Sequence, residues 1–539
     1  MIAGLSFLAF TGTVGLVAWW VTRNDRMNTA EAYFLAGRSL TAWVIAGSLM
    51  LTNLSTEHLI GLNGDAFNHS IAVMAWETTA ALAMVLAAFY FIPKYLRIGL
   101  STIPDFLARR FDSRTRLVAT LLFLFSYSIA ILPVVLLFGA AGLESLFDVS
   151  SVFGITEGQA NWLMVAGIGA LGSLYAIAGG LKPVAVSDTI NGIGFLLASL
   201  LIPFLALLVV GNGDIFAGLQ TVYTEERPKF DITGDEPGSF LPFGVLFTGM
   251  IVNQVFFWCT NQSIMQRALG AKNLKEAQKG VLIAAVFKLI APIAIVLPGV
   301  IAFHMFKNEL GPDQYLQAYP TLVKTVLPAP LTGFFAAVMV GAVLSTFNSV
   351  LNSAATLFNQ GVFKPLFSPN ATDRMQVRTG RICSTVLAVS AILIAPGIDT
   401  SGSLYIYLQQ INATFFGPML AVILAGLMTR RATANAALTG LIAGPIIFYC
   451  INFVINAEFQ SLLASLFGID AKVHFLHLLA CVFIVTSLLI WLVSVLQPAT
   501  YTLQPRTPAP VDMTPWRYAP AMAVAIVITT FAVYILLSQ

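Results

Sequence analysis

The sequence predicts an all-α polytopic protein that crosses a lipid bilayer about fourteen times, and three observations carry that reading. Of its 539 residues, 58% are hydrophobic and only 10% charged, with 40 Phe, a composition foreign to soluble globular domains. Apolar runs of about 20 residues, the length that spans the hydrocarbon core as a helix, recur along the whole chain. Lys and Arg collect in alternate connections, as the retention of basic loops in the cytoplasm requires.

The runs lie at approximately 2–21, 40–63, 71–92, 117–146, 160–178, 185–210, 240–264, 278–304, 329–360, 380–396, 404–428, 433–455, 474–496 and 517–537 and are called spans one to fourteen. With the N-terminus outside, the cytoplasmic connections hold 22 of the 28 Lys and Arg. These are Arg23, Arg26 and Arg38; Lys94, Arg97, Arg109, Arg110, Arg114 and Arg116; Lys182; Arg267, Lys272, Lys275 and Lys279; Lys364, Arg374, Arg378 and Arg381; Arg430 and Arg431; and Arg506 and Arg517. The outer connections hold Arg227, Lys229, Lys307, Lys324 and Lys472, and Lys288 falls inside the eighth span. Both termini are therefore expected on the extracytoplasmic side of the cell (inner) membrane. The first run has no basic residues before it and its charges follow it, so it reads as a span and not as a signal peptide.

Cys259, Cys383, Cys450 and Cys481 show no paired spacing, and His474 and His477 lack companion ligands, so neither a disulfide framework nor a zinc site is indicated. The net charge of +3 reflects the inward-facing loops and points to no nucleic-acid partner. No metal-spaced cluster, nucleophile elbow or phosphate loop argues for an enzyme.

The second span turns polar in its middle, at Thr52-Asn53-Leu54-Ser55-Thr56-Glu57-His58. Unsatisfied polar groups in hydrocarbon cost several kcal/mol each, so such an interruption lines a cavity or ion path, and the span is expected to be a broken helix. The third span carries Glu77 after Trp76, either a functional acid or a structural carboxylate tied to neighbouring helices. In the connection that follows, Ile103 to Arg110 reads as a short interfacial helix with Pro104 in its first turn. Asp188 near the cytoplasmic end of the sixth span serves ion exit or pairs with a basic residue at the interface. The outer connection 211–239, with Glu225, Glu226, Asp231, Asp235 and Glu236, reads as a surface lid or plain linker.

The seventh span repeats the pattern of the second, an apolar entry leading through Gln254 to Phe256-Phe257-Trp258-Cys259-Thr260-Asn261-Gln262. Two interrupted spans, each opening a set of five, are what an inverted repeat predicts. The expected organisation is a first helix and cytoplasmic loop (1–39), repeat one (40–210), the outer loop (211–239), repeat two (240–428) and three C-terminal helices (429–539). Lys288 in the eighth span must snorkel or find a carboxylate or polar partner. On the ninth span, Ala342, Ser345, Ser349, Asn352 and Thr356 recur on one helical face, with Thr346 beside Ser345. This stripe serves close helix packing, or a sodium site in which the two hydroxyls join carbonyls freed where the second span breaks. On the eleventh span, Gln409, Gln410 and Asn412 offer amides suited to a polyhydroxylated solute or to ties between helices. The Pro-rich 497–516 connection reads as an extended linker.

The stretches EAYFLAGRSL, LTNLSTEHLIGLNG, MAWETTA, YAIAGGL, FFWCTNQSIMQRALGAKNLKEAQKG, FKLIAPIAIVLPG and STFNSVLNSAATLF together resemble the solute:sodium symporter family, in its sodium/glucose (galactose) cotransporter branch. The resemblance covers essentially the whole chain and implies the LeuT-like fold, with ten core helices in two inverted five-helix repeats. It implies Na⁺ as coupling ion, held by the carbonyls of Leu51, Leu54 and Ala342 and the hydroxyls of Ser345 and Thr346. It implies solute contacts at Asn53, His58, Glu77, Gln254, Lys288 and Gln410, an inner aromatic gate at Phe257, and an acid near the ion path at Asp188. The expected activity is Na⁺-coupled import of a hexose or related polyol by alternating access. The alternatives are Na⁺ symport of sialic acid, a carboxylate or an amino acid, and an uncoupled facilitator. The sequence departs from the branch in Phe for Tyr at the gate, in VSDTIN around Asp188, and in Ala80 and Ile131 where one bacterial sugar carrier has polar contacts. His58 is shared with animal glucose carriers. The oligomeric state is left open.

Overall fold

Serine, threonine and asparagine side chains compete with the backbone for its own hydrogen bonds, and where they cluster in the second span the helix gives way. Helix Ala42–Asn53 ends there, Leu54 leaves helical geometry at φ −78° and ψ 81°, and the chain resumes as a π-helical turn, Glu57–Leu62, that runs into Asn63–Asn68. The seventh span breaks likewise between Gly249–Cys259 and Gln262–Leu269. Asn261 caps the second piece, its side chain accepting from Ser263 N at 3.0 Å and from the Tyr127 hydroxyl at 2.9 Å.

The structure, a computed structural model, describes residues 2–23, 29–232, 240–399, 402–467, 473–497 and 511–538. Arg26, Asp235, Glu236, Lys472 and Arg506, and most of the Pro-rich 497–516 connection, lie outside the described residues. Among those described, regular structure is helical apart from two isolated bridges, Leu40 to Ala271 and Asn273 to Asp512. Among the described residues, eleven helices are long and apolar enough to cross a membrane, and the two broken spans contribute the shorter apolar helices Ala42–Asn53 and Gly249–Cys259.

The ninth span is the centre of the bundle: 89% of its most apolar window is buried, against 11% for the first helix and 17% for the last. Peripheral helices instead show Leu16, Trp19, Ile528 and Phe531 on their surfaces, as side chains facing lipid do. The second and sixth spans touch backbone to backbone at Gly47, where an added Cβ would lie 2.9 Å from the Thr189 Cα. The last helix is tied in by the Thr78 and Tyr534 hydroxyls, 2.8 Å apart.

Helix Ile103–Arg110 forms over the expected residues, with Pro104 in its first turn and a capping box between Thr102 and Asp105. The described part of the 211–239 connection, in contrast, is not a plain linker. Asp214 caps a helix, Ile215–Glu225, and Lys229 then donates to the Phe67 and Asn68 carbonyls at 2.7 and 2.9 Å, closing the C-terminal end of the broken second span. Glu226 is held by His304 at 3.3 Å and by Lys307.

Candidate functional site

The break in the second span frees backbone oxygens that a continuous helix would spend. Ser55 N donates to Asn53 O at 2.9 Å instead of to Leu51 O, and His58 N to Ser55 O at 3.0 Å instead of to Leu54 O. The ninth span lies alongside. Thr346 Oγ1 donates to Thr52 O at 2.9 Å, Ser55 Oγ donates to Ala342 O at 3.2 Å, and the Thr52 and Ser349 hydroxyls share a bond of 3.1 Å. Ser345 Oγ is buried beside the Asp188 carboxyl and makes no bond to the second span among the described residues. A hard cation takes oxygen ligands, and the two released carbonyls, Ala342 O and the two ninth-span hydroxyls form a donor set of that kind on two facing elements.

Beside this seam lies a cavity walled by six elements, to which the fourth span contributes Ile131 and the ninth Thr346 and Val350. The second span contributes Asn53, Glu57 and His58; the third Trp76 and Glu77; the seventh Asn253, Gln254 and Phe257; and the eleventh Tyr405, Gln409 and Asn412. Behind its wall, Lys288 is only 2% exposed and donates to Glu77 Oε2 at 2.6 Å and to the Asn53 side chain. His58 Nε2 lies 3.3 Å from Glu77 Oε1, and Gln254 donates to Trp76 O at 2.7 Å. Five lining residues carry a buried polar atom with no partner among the described residues: Glu57 Oε2, His58 Nδ1, Trp76 Nε1, Asn253 Oδ1 and Asn412 Oδ1. Buried polar atoms are seldom left unpaired, so these are groups available to a bound molecule. Phe257 closes one wall, its ring 5.3 Å from that of Trp258.

The sodium:solute symporter family model matches residues 33–444. The chain belongs to the sodium:solute symporter family. It is 40% identical over 531 residues to the uncharacterized symporter YidK of Escherichia coli, covering 98% of this chain and 90% of that one. It is 30% identical to the sodium/glucose cotransporter of Vibrio parahaemolyticus (82% and 84% covered) and to the human sodium/myo-inositol cotransporter 2 (81% and 67%). In fold it is similar to a Na⁺-coupled sialic acid symporter solved in a substrate-bound outward-open state, with a TM-score of 0.75 at 20% identity over 93% of this chain and 99% of that one. A nucleobase-cation-symport-1 family transporter, solved closed with bromovinylhydantoin, follows with a TM-score of 0.55 at 16% identity, covering 88% and 96%. The fold is LeuT-like, and the chain is a Na⁺-coupled transporter of the cell membrane and not an enzyme.

The symporter brings Asn53, His58, Glu77, Gln254 and Phe257 to one cavity, with Lys288 bonded behind its wall. Gln410 is not among the lining residues; Gln409 takes that place. Successive helical residues point about 100° apart, and the eleventh span is rotated so that Tyr405, Gln409 and Asn412 share the cavity face. Asp188 is buried and accepts from Ser48 Oγ at 2.7 Å. Arg267, counted above among loop cations, is instead completely buried. It lies 4.0 Å from Asp188 and donates to Ser48 Oγ at 3.2 Å, to Ser349 and to the Ser263 carbonyl. The charge moved inward because Gln262–Leu269 is buried along its length. The hydroxyl stripe divides: Asn352 and Thr356 accept from Gln266 Nε2 at 3.0 and 2.9 Å, which is packing, whereas Thr346 bonds the break and Ser345 lies beside Asp188. Asn253 and Tyr405 were missed as cavity residues because nothing local distinguishes a wall-facing residue on an apolar helix.

Proposed function

We propose that this symporter imports a neutral polyhydroxylated solute, a hexose or related polyol, together with Na⁺ bound between the second and ninth spans. The observation that carries the reading is the pairing of Lys288 with Glu77 at 2.6 Å. That pair is neutral as a unit, and the buried Arg267 is spent on Asp188 and three oxygen acceptors. Among the described residues, no Lys or Arg lines the cavity. An anionic sugar or carboxylate would meet no free positive charge there, whereas unpaired amide, indole, imidazole and carboxylate groups suit hydroxyls that both give and accept hydrogen bonds.

In this reading the carbonyls of Leu51, Leu54 and Ala342 and the hydroxyls of Ser345 and Thr346 hold Na⁺. Asn53, His58, Glu77, Gln254 and Gln409 bind solute with Lys288 orienting Glu77, Phe257 covers the inner exit, and Asp188 stands on the ion path. Sodium contacts both repeats of the proposed organisation, 40–210 and 240–428, so it favours the arrangement in which they meet best around it. The proposed topology keeps both termini outside. The glucose and myo-inositol substrates in the names of two relatives support the solute class.

The test is uptake into proteoliposomes of radiolabelled glucose, galactose, myo-inositol and sialic acid, with Na⁺ against K⁺ outside. Accumulation of a neutral polyol that requires Na⁺ and collapses with a sodium ionophore is the expected result. Sodium-driven uptake of sialic acid alone would overturn the solute class, and simple equilibration would overturn coupled import.

A further inference from the structure

We infer that Glu57 is a specificity-determining residue of the solute cavity, its spare carboxylate oxygen accepting hydrogen bonds from hydroxyls of the solute. The inference rests on the polyol reading of that cavity. Glu57 opens the π-helical turn just after the break in the second span, lines the cavity and is 6% exposed. Its Oε2 is buried with no partner among the described residues.

The charges around it are already committed. Lys288 is bonded to Glu77 and Asn53, and Arg267 to Ser48 and Ser349 beside Asp188. His58 comes nearest, but its Nδ1 is 3.8 Å from Glu57 Oε1, beyond hydrogen-bonding distance, while its Nε2 faces Glu77 at 3.3 Å. Among the described residues Glu57 thus has no Lys or Arg bonded to it, and its Oε2 stays unspent. The spare amide oxygens of Asn253 and Asn412 add two further acceptors from other walls, while Trp76 Nε1 is a spare donor. A wall in which a spare carboxylate oxygen stands among amides that both give and accept suits a ligand rich in O–H groups. A site built to bond a substrate hydroxyl also rejects the analogue that lacks it, because the acceptor is then buried unpaired.

The experiment compares wild type, Glu57→Gln and Glu57→Asp in proteoliposomes, using glucose, galactose, myo-inositol and the monodeoxy analogues of whichever the wild type carries. Glu57→Gln is expected to raise the half-saturating concentration of the parent solute roughly 10- to 100-fold, the worth of a charge-assisted hydrogen bond. The half-saturating Na⁺ concentration should stay unchanged. One deoxy analogue should be poor for the wild type and no poorer for the variant, which identifies the hydroxyl read. Equal penalties on every analogue, wild-type affinity in the variant, or a shift confined to Na⁺ would each overturn the inference. Should Glu57→Gln fail to fold, Glu57→Asp and the wild-type deoxy series carry the same comparison. A wild type that carries no polyol removes the polyol reading and this inference together, whereas a polyol carrier indifferent to Glu57 removes only the latter.

Discussion

Thr346 Oγ1, on the ninth span, donates a hydrogen bond of 2.9 Å to the backbone oxygen of Thr52, in the last turn before the second span unwinds. Two helices that lie in separate halves of the sequence are thereby held together at the point where carbonyls come free. The Ser345 hydroxyl beside it makes no such bond to the second span and lies next to the Asp188 carboxyl.

Replacing either hydroxyl should weaken sodium binding without unfolding the protein. Ser345→Ala and Thr346→Ala each remove one oxygen from a small shell, and a hydrogen-bond-strength ligand to a charge is worth roughly 1.5–3 kcal/mol. The half-saturating Na⁺ concentration for uptake should rise about 10- to 100-fold. Unchanged sodium dependence in both variants would move the ion elsewhere.

Lys288 and Glu77 should behave as a unit. Breaking a buried ion pair by removing one partner costs about 3–5 kcal/mol, while replacing both is far milder. Thermal unfolding in detergent should therefore show Lys288→Met strongly destabilised and Lys288→Met/Glu77→Gln largely restored, with transport lost in both. Equal stability of single and double variants would mean that the pair is not formed in the protein.

Arg267 should not tolerate lysine. Its guanidinium reaches Ser48, Ser349 and the Ser263 carbonyl while facing Asp188, a fork that a single ammonium cannot reproduce. Arg267→Lys should lower the unfolding temperature although the charge is kept, and Arg267→Gln/Asp188→Asn should recover part of the loss. Wild-type stability in Arg267→Lys would show that the charge alone matters.

Where the second span meets the third, His69 stacks on Phe240 with ring centroids 4.0 Å apart, and burial together with nearby Lys229 lowers its pKa from 6.5 to about 4. Between those values the unfolded chain binds a proton that the folded chain refuses, so this residue's contribution to stability falls as pH drops from about 6.5 toward 4. His69→Phe keeps the stacking and removes the proton. Its unfolding temperature should fall less than wild type across that interval, and parallel curves would refute the assignment.

Much of the site was legible because its signal is local. A polar cluster in an apolar run can only be a break, and Thr52 to His58 read that way before any neighbour was known. Ala342, Ser345, Ser349, Asn352 and Thr356 at helical spacing on the ninth span likewise announced a face in close contact. Which hydroxyls serve packing and which face the break was not legible, since Gln266 and Arg267 decide it and the sequence had placed Arg267 in a loop. The eleventh span shows the same limit: two adjacent glutamines are equivalent in sequence, and helix rotation selects Gln409.

Hydropathy and periodicity, which each segment carries in its own side chains, determined by themselves that this chain lives in a bilayer, where its helices run and where two of them break. The tertiary structure alone decided which polar groups find one another. Lys288 meets Glu77 from 211 residues away, Ser48 meets Asp188 from 140, and Thr346 meets Thr52 from 294. In a low-dielectric interior every buried charge must find its partner somewhere, but only the packing of whole spans settles which candidate comes within reach, and hence which groups are left over for a solute.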